Sequence, residues 1–250
     1  MTTRTEHRMP ELINPVVLRI TLRATVGRKR ALVFLLVPLV LILVTVVLRL
    51  AAKSPVWPAE FLGVFGFSVV LPLTSLIIGT SVLGAEIDDG SIIHLLATPV
   101  RRLSVVLSKF TVAVILTVAF GALPEFLAGA IAKGFSDKLT LGLLAGGLIA
   151  AVAYNALFVM FSLLTSRAIA VGLLYLLVWE GLLGNFIGGV RVLSVGQYSV
   201  SVANSIARTS ALNAHLTLTT ALVMAVLVTI VTLAVAAQRL SSFAIKGEAV

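Results

Sequence analysis

Gly27-Arg28-Lys29-Arg30-Ala31-Leu32-Val33-Phe34-Leu35-Leu36-Val37-Pro38-Leu39-Val40-Leu41-Ile42-Leu43-Val44-Thr45-Val46-Val47-Leu48-Arg49-Leu50 is the stretch that decides the fold. A helix needs about 20 mainly apolar residues to cross about 30 Å of hydrocarbon, and residues 31–50 supply them with no charge before Arg49. The basic cluster Arg28, Lys29 and Arg30 in front of the run fixes its direction, because Lys and Arg are retained on the cytoplasmic side. The N-terminus is therefore expected inside.

Five more runs repeat the pattern: 61–84, 104–132, 139–165, 168–190 and 214–238. Of the 250 residues 59% are hydrophobic and only 12% charged, with a mean hydropathy of +1.13. A soluble domain is about half apolar and about a quarter charged, so lipid must solvate much of this chain. The predicted fold is an all-α integral membrane protein, a single transmembrane domain over 1–250 with six spans and both termini cytoplasmic. With the N-terminus inside, thirteen of the nineteen Lys and Arg residues fall on the cytoplasmic side and six outside. The net charge of +9 thus reflects topology, and no nucleic acid partner is implied. The third and fourth runs exceed a straight span and should tilt or project. Pro38, Pro72 and Pro124 lie inside spans and predict kinks. No secretory signal peptide is expected. The chain contains no cysteine, which excludes disulfides and thiolate chemistry.

Two connections carry structure of their own. Within 11–30, Ile13, Val16, Val17 and Ile20 recur at helical spacing with Arg19, Arg23 and Arg30 largely elsewhere, as in an amphipathic helix at the cytoplasmic surface with Pro15 in its first turn. Residues 184–213 are neither hydrophilic nor apolar enough to span, and predict short re-entrant helices in the outer leaflet. The small-residue pairs Gly142–Gly146 and Gly184–Gly188 permit close helix approach.

The segment 86–102 joins spans two and three. Glu86, Asp88 and Asp89 precede or open a short amphipathic helix, where negative charge is favoured, and Asp89 or Ser91 caps it. Ile92, Ile93, Leu95 and Leu96 form its apolar face. Pro99 ends it, and Arg101 and Arg102 mark the return to the membrane. A compact sticky helix between two spans is suited to a soluble partner.

This segment resembles the signature of the ABC-2 type permeases, membrane subunits of one class of ATP-binding-cassette exporters. The matching places are Glu86, Gly90, Leu95–Leu96, Pro99–Val100, Arg102 and Lys109, and the overall architecture is similar along the whole chain. The resemblance implies a type V exporter-like fold with a coupling helix within 86–102, seated in a groove of an ATPase subunit. The coupling residues it implies are Glu86, Asp88, Asp89, Gly90, Ile92, Ile93, Leu95, Leu96, Pro99 and Arg102. It further implies two such ATPase subunits per complex, a second copy or a homologous permease as partner, and a multi-pass place in a bacterial plasma membrane. The cargo would be hydrophobic or amphipathic: a lipid, drug or peptide.

The chain has no Gly-x-x-x-x-Gly-Lys-Ser/Thr loop, so no cofactor is expected in it; ATP and Mg2+ belong to the partner ATPase. Leu193-Ser194-Val195-Gly196-Gln197 resembles an ATPase signature loop but lies in the external connection. No hydrolytic motif or metal-ligand spacing is present, and His7, His94 and His215 are scattered. Glu125 and Glu180 fall inside spans, where a carboxylate is costly. With Asn185 they are candidates for the export path or an outer gate; the alternative is interfacial placement with Trp179 in an aromatic belt. A membrane scaffold or sensor that recruits an ATPase without transporting, and a secondary transporter, are the competing functions.

Overall fold

The computed structural model describes residues 15–25, 28–52, 54–88, 102–184 and 188–247, which form helices and turns with no strand among them. Five stretches are long and apolar enough to cross a membrane: Phe34–Ala51, Trp57–Leu83, Arg102–Lys133, Lys138–Leu164 and Leu218–Leu240. Ala168–Leu183 is a shorter apolar helix.

Helix α1 (Pro15–Thr25) opens on Pro15, where the missing N–H costs no helical bond. Leu18, Thr21, Leu22 and Thr25, spaced i, i+3, i+4 and i+7, face the protein, and Thr21 and Thr25 are buried. Ile20 points away and is 60% exposed. Helix α2 (Arg28–Ala51) contains Pro38. Its exposed row of Leu36, Leu39, Leu43, Val47 and Leu50 has the composition of a lipid-facing surface.

The next two long helices each contain a π-helical stretch. Helix α3 (Trp57–Phe61) runs through the π stretch Leu62–Val70 into α4 (Leu71–Asp88). Helix α5 (Arg102–Thr117) runs through Val118–Ala122 into α6 (Leu123–Lys133). Each stretch ends two residues before a proline, Pro72 or Pro124. Proline lacks the N–H for the i−4 carbonyl and its ring collides with that carbonyl. Widening the turn ahead of it relieves the collision without ending the helix. The kinks expected at these two prolines take this form.

Helix α7 (Lys138–Leu164) lies at the centre, packed against α4, α6, α9 and α10. Asp137 caps it, its Oδ1 accepting from the Leu139 amide at 2.8 Å. Helix α8 (Ala168–Leu174) continues as a π stretch, Tyr175–Leu183. A 3-10 turn (Val190–Leu193) leads into α9 (Val195–Ala207), and α10 is Leu218–Gly247.

Gly142 and Gly146 have a specific partner. A Cβ on Gly142 would lie 2.5 Å from the Ala203 carbonyl oxygen, and one on Gly146 2.5 Å from that of Ser199. These contacts make α9 antiparallel to α7 along its first half. Helix α8 approaches the other half, with Gly172 against Leu76 and Phe158. Of the span expected over 168–190, Ala168–Leu174 and the π stretch Tyr175–Leu183 are helical, residues 185–187 lie outside the described residues, and α9 covers the remaining length of α7. The pair Gly184–Gly188 makes no comparable helix contact, since nothing lies within 4 Å of a Cβ at Gly188. The run expected over 214–238 lies in the helix Leu218–Gly247, whose membrane-length stretch is Leu218–Leu240. Thr217 caps it, its hydroxyl oxygen accepting from the Thr220 amide at 3.2 Å.

Two apolar cores result. One joins Leu41, Phe67, Leu71, Leu143, Tyr154 and Tyr198. The other joins Phe34, Ile78, Val82, Val106, Leu163 and Leu240 and lies at the end from which residues 89–101 depart.

Candidate functional site

The segment 86–102, expected from sequence to couple to an ATPase, is flanked by α4 and α5. Glu86 and Asp88 lie in the last turn of α4, and Arg102 is the first residue of α5. Asp89, Gly90, Ile92, Ile93, Leu95, Leu96 and Pro99 fall outside the described residues, as does Asn185. Lys109 is completely buried, and its Nζ donates to the Val82 carbonyl at 2.9 Å. A buried ammonium on a carbonyl near the end of α4 ties the two helices that flank the segment, and a bond from a charged donor is worth about 1.5–3 kcal/mol.

Lys109 begins a buried row at four-residue spacing: Lys109, Ala113, Thr117, Gly121 and Glu125. Thr117 accepts from Asn155 Nδ2 of α7 at 2.8 Å, and the same nitrogen donates to Ala151 O at 2.7 Å. Gly121 admits Leu71 and Thr74 of α4. The inner face of this helix thus carries polar and small residues, while Ile115 and Leu123 point outward.

Glu180 closes the gap between α8 and α9. Its Oε1 accepts from the Tyr175 hydroxyl at 2.8 Å and from the Val195 amide at 2.8 Å; its Oε2 accepts from the Ser194 hydroxyl and from the Gly196 amide at 3.4 Å. Tyr175 and Glu180 are five residues apart, a spacing that an α-helix turns to different faces and a π-helix superposes. That is what the third π stretch accomplishes. The first amides of a helix have no internal acceptor, and the positive end of its dipole favours an anion. Glu180 supplies both to α9. Gly196 leaves the room: a Cβ there would stand 3.2 Å from Glu180 Oε2 and 3.3 Å from the Tyr154 hydroxyl. Ser194 accepts from the Gln197 amide at 3.2 Å, Trp179 Nε1 donates to Leu193 O at 3.4 Å, and Tyr198 donates to Val192 O at 2.7 Å. The Leu193–Gln197 stretch therefore forms a helix cap held by this chain's own carboxylate. Arg191 donates to Gly184 O at 3.0 Å.

Glu125 is completely buried, yet neither carboxylate oxygen meets a donor. It packs on Gly66, where a Cβ would come within 2.3 Å of Oε1. An ionised carboxylate left so is costly, on the order of several kcal/mol. Glu125 and Glu180 share no hydrogen-bond partner, so the structure separates the two acids that the sequence grouped. Tyr175, Ser194 and Gly66 are functional neighbours that spacing within one run does not reveal; the only local signal was Trp179-Glu180-Gly181 inside an apolar stretch.

Among the described residues no cluster of three or more metal-ligating side chains occurs. What the helices define is a multi-pass helical membrane protein whose buried polar groups join helices. The family model of the ABC-2 family transporter proteins matches residues 28–190, and the chain belongs to that family. Membership makes it a permease subunit of an ATP-binding-cassette transporter; the family consists of membrane transport subunits, which associate with ATP-binding-cassette ATPase subunits. The match begins at the basic cluster that opens α2 and includes 86–102, Glu125 and Glu180. No curated protein matches the chain.

Proposed function

We propose that this permease is an exporter that moves a hydrophobic or amphipathic molecule out of the cytoplasm, driven by two ATPase subunits that grip residues 86–102. Two copies, or one copy and a similar permease, enclose the path between them. Helix α8 with its π stretch and α9 together make one broken crossing, so both termini stay cytoplasmic, and Glu180 of the π stretch bridges to the start of α9. Discontinuous helices whose ends face a charge are a recurrent solution at membrane depth; here the charge is Glu180, which latches the outer half-helix to the inner one.

The single observation that carries this reading is the family match spanning 28–190, which brackets the motif from Glu86 to Lys109. The buried Lys109–Val82 bond is consistent with it, since a movement imposed on the segment would pass into both α4 and α5. The test is co-purification with the companion ATPase and ATP-driven transport in proteoliposomes. Leu95→Asp and Glu86→Lys should each abolish ATP hydrolysis coupled to transport while the six-helix fold persists. Normal assembly and turnover in both variants would refute the coupling assignment.

A further inference from the structure

The two acids embedded in the described helices are treated differently. Glu180 meets two hydroxyls and two helix-end amides. Glu125 meets none, although no part of it reaches solvent. Glycine at 66 is what makes space for its carboxyl, because any Cβ there would strike Oε1. Gly66 sits in the middle of one π-helical stretch, and Glu125 follows directly after another with its proline. One wall of the site is thus a π-helical stretch and the other begins just after one, and such irregularities are frequent at functional positions.

A cavity of about 560 Å3 opens at the end of the bundle away from residues 89–101. It is lined by Ala59 of α3, Lys133 of α6, Leu139 of α7 and Ala207 of α9, among others. Ala59 lies seven residues from Gly66, and Lys133 lies eight from Glu125, in both cases about two turns, or about 11 Å. The cavity thus lies about two turns beyond the carboxyl, at the ends of the helical runs that carry Gly66 and Glu125.

A carboxylate at this depth is stable only opposite a positive charge or donors, and the described residues give Glu125 neither. We infer that Glu125 is the binding site for a cationic group on the transported molecule, an ammonium or other organic cation on an apolar body. In the present conformation the site is closed between Gly66 and α6, and parting of α3 from α6 joins it to the cavity. A hard metal ion is the poorer fit, since it needs several oxygen ligands together, and among the described residues no group of three or more ligating side chains occurs. At the cavity rim stand Lys133 and Lys138 with Asp137; this balance does not hold a second cation, which suits release. The inference names the substrate class of the proposed exporter and rests on that reading.

The test uses the full chain in nanodiscs of zwitterionic lipid and equilibrium dialysis with tetraphenylphosphonium, with protein-free nanodiscs as background. Saturable binding is expected, weakened at least tenfold by Glu125→Gln, unchanged by Glu60→Gln at an exposed position of α3, and absent for the anion tetraphenylborate. A second measurement needs no variant: a lipid-soluble carbodiimide should modify Glu125 in the native chain, and tetraphenylphosphonium should slow that labelling at least tenfold. Absence of saturable binding, equal binding by Glu125→Gln, or labelling indifferent to the cation would overturn the inference and leave Glu125 with a proton only. Binding to the chain alone requires no ATPase. A negative result here therefore leaves the exporter reading standing, and failure to recruit an ATPase leaves this binding measurable.

Discussion

Glu180→Ala is the perturbation whose consequence the structure fixes most closely. The substitution removes an acceptor shared by the Tyr175 and Ser194 hydroxyls and the Val195 and Gly196 amides. The hydroxyls can rotate to other acceptors. The amides cannot, because they point along the axis of α9 and have no intrahelical partner. A buried donor left unsatisfied costs about 1–3 kcal/mol, and the lost charge–dipole attraction adds about 0.3–1 kcal/mol. Taking the amides near the low end, α9 loses about 3 kcal/mol of protection against local opening. At 1.4 kcal/mol per tenfold, that is roughly a 150-fold rise in its opening constant. The assay is amide hydrogen exchange followed by mass spectrometry on protein in nanodiscs. Peptides covering 195–207 should exchange roughly 150-fold faster, while peptides from α5 stay as they were. Glu180→Gln keeps one acceptor oxygen and should give an intermediate change. If α9 in the folded Glu180→Ala protein exchanges at the native rate, the carboxylate does not hold the helix and the latch is wrong.

Two further outcomes follow from the packing. Gly146→Leu drives a side chain into the Ser199 carbonyl and the Phe67 ring; because a backbone carbonyl cannot step aside, it should destabilise by about 1–3 kcal/mol or more, read as a lower midpoint in a thermal-aggregation assay in detergent, and an unchanged midpoint would show that α9 is not seated there. Asn155→Leu and Thr117→Val remove the two ends of one buried bond, and a double-mutant cycle on their stabilities should return a coupling of about 0.6–1.7 kcal/mol, with zero coupling meaning the bond is not formed.

The apolar runs were legible in the sequence because lipid demands continuous apolar helices of a set length. Residues 31–50 gave α2 within a few positions, and 139–165 gave α7. Pro15 at the start of α1 and the prolines of the second and third runs were equally readable, since a missing N–H acts locally. The π registers ahead of Pro72 and Pro124 were not, because hydropathy does not register whether a carbonyl bonds four or five residues on.

What sequence alone determined is the membrane solvent, the helical class and the segment 86–109 that carries the family motif. What only the tertiary structure decided is the fate of the polar residues. Glu125 and Glu180 look alike in a string, each a lone acid in an apolar run. In space one is saturated by the start of α9, fifteen residues or so along the chain, and the other packs on Gly66, fifty-nine residues before it, without meeting a donor. Hydrophobic burial is additive along a helix and so shows in composition, whereas hydrogen bonds depend on direction and on which helix stands opposite. The same reason made 168–190 read as one span: its apolar length was visible, but the pairing of Glu180 with the start of α9 depends on another helix end standing opposite.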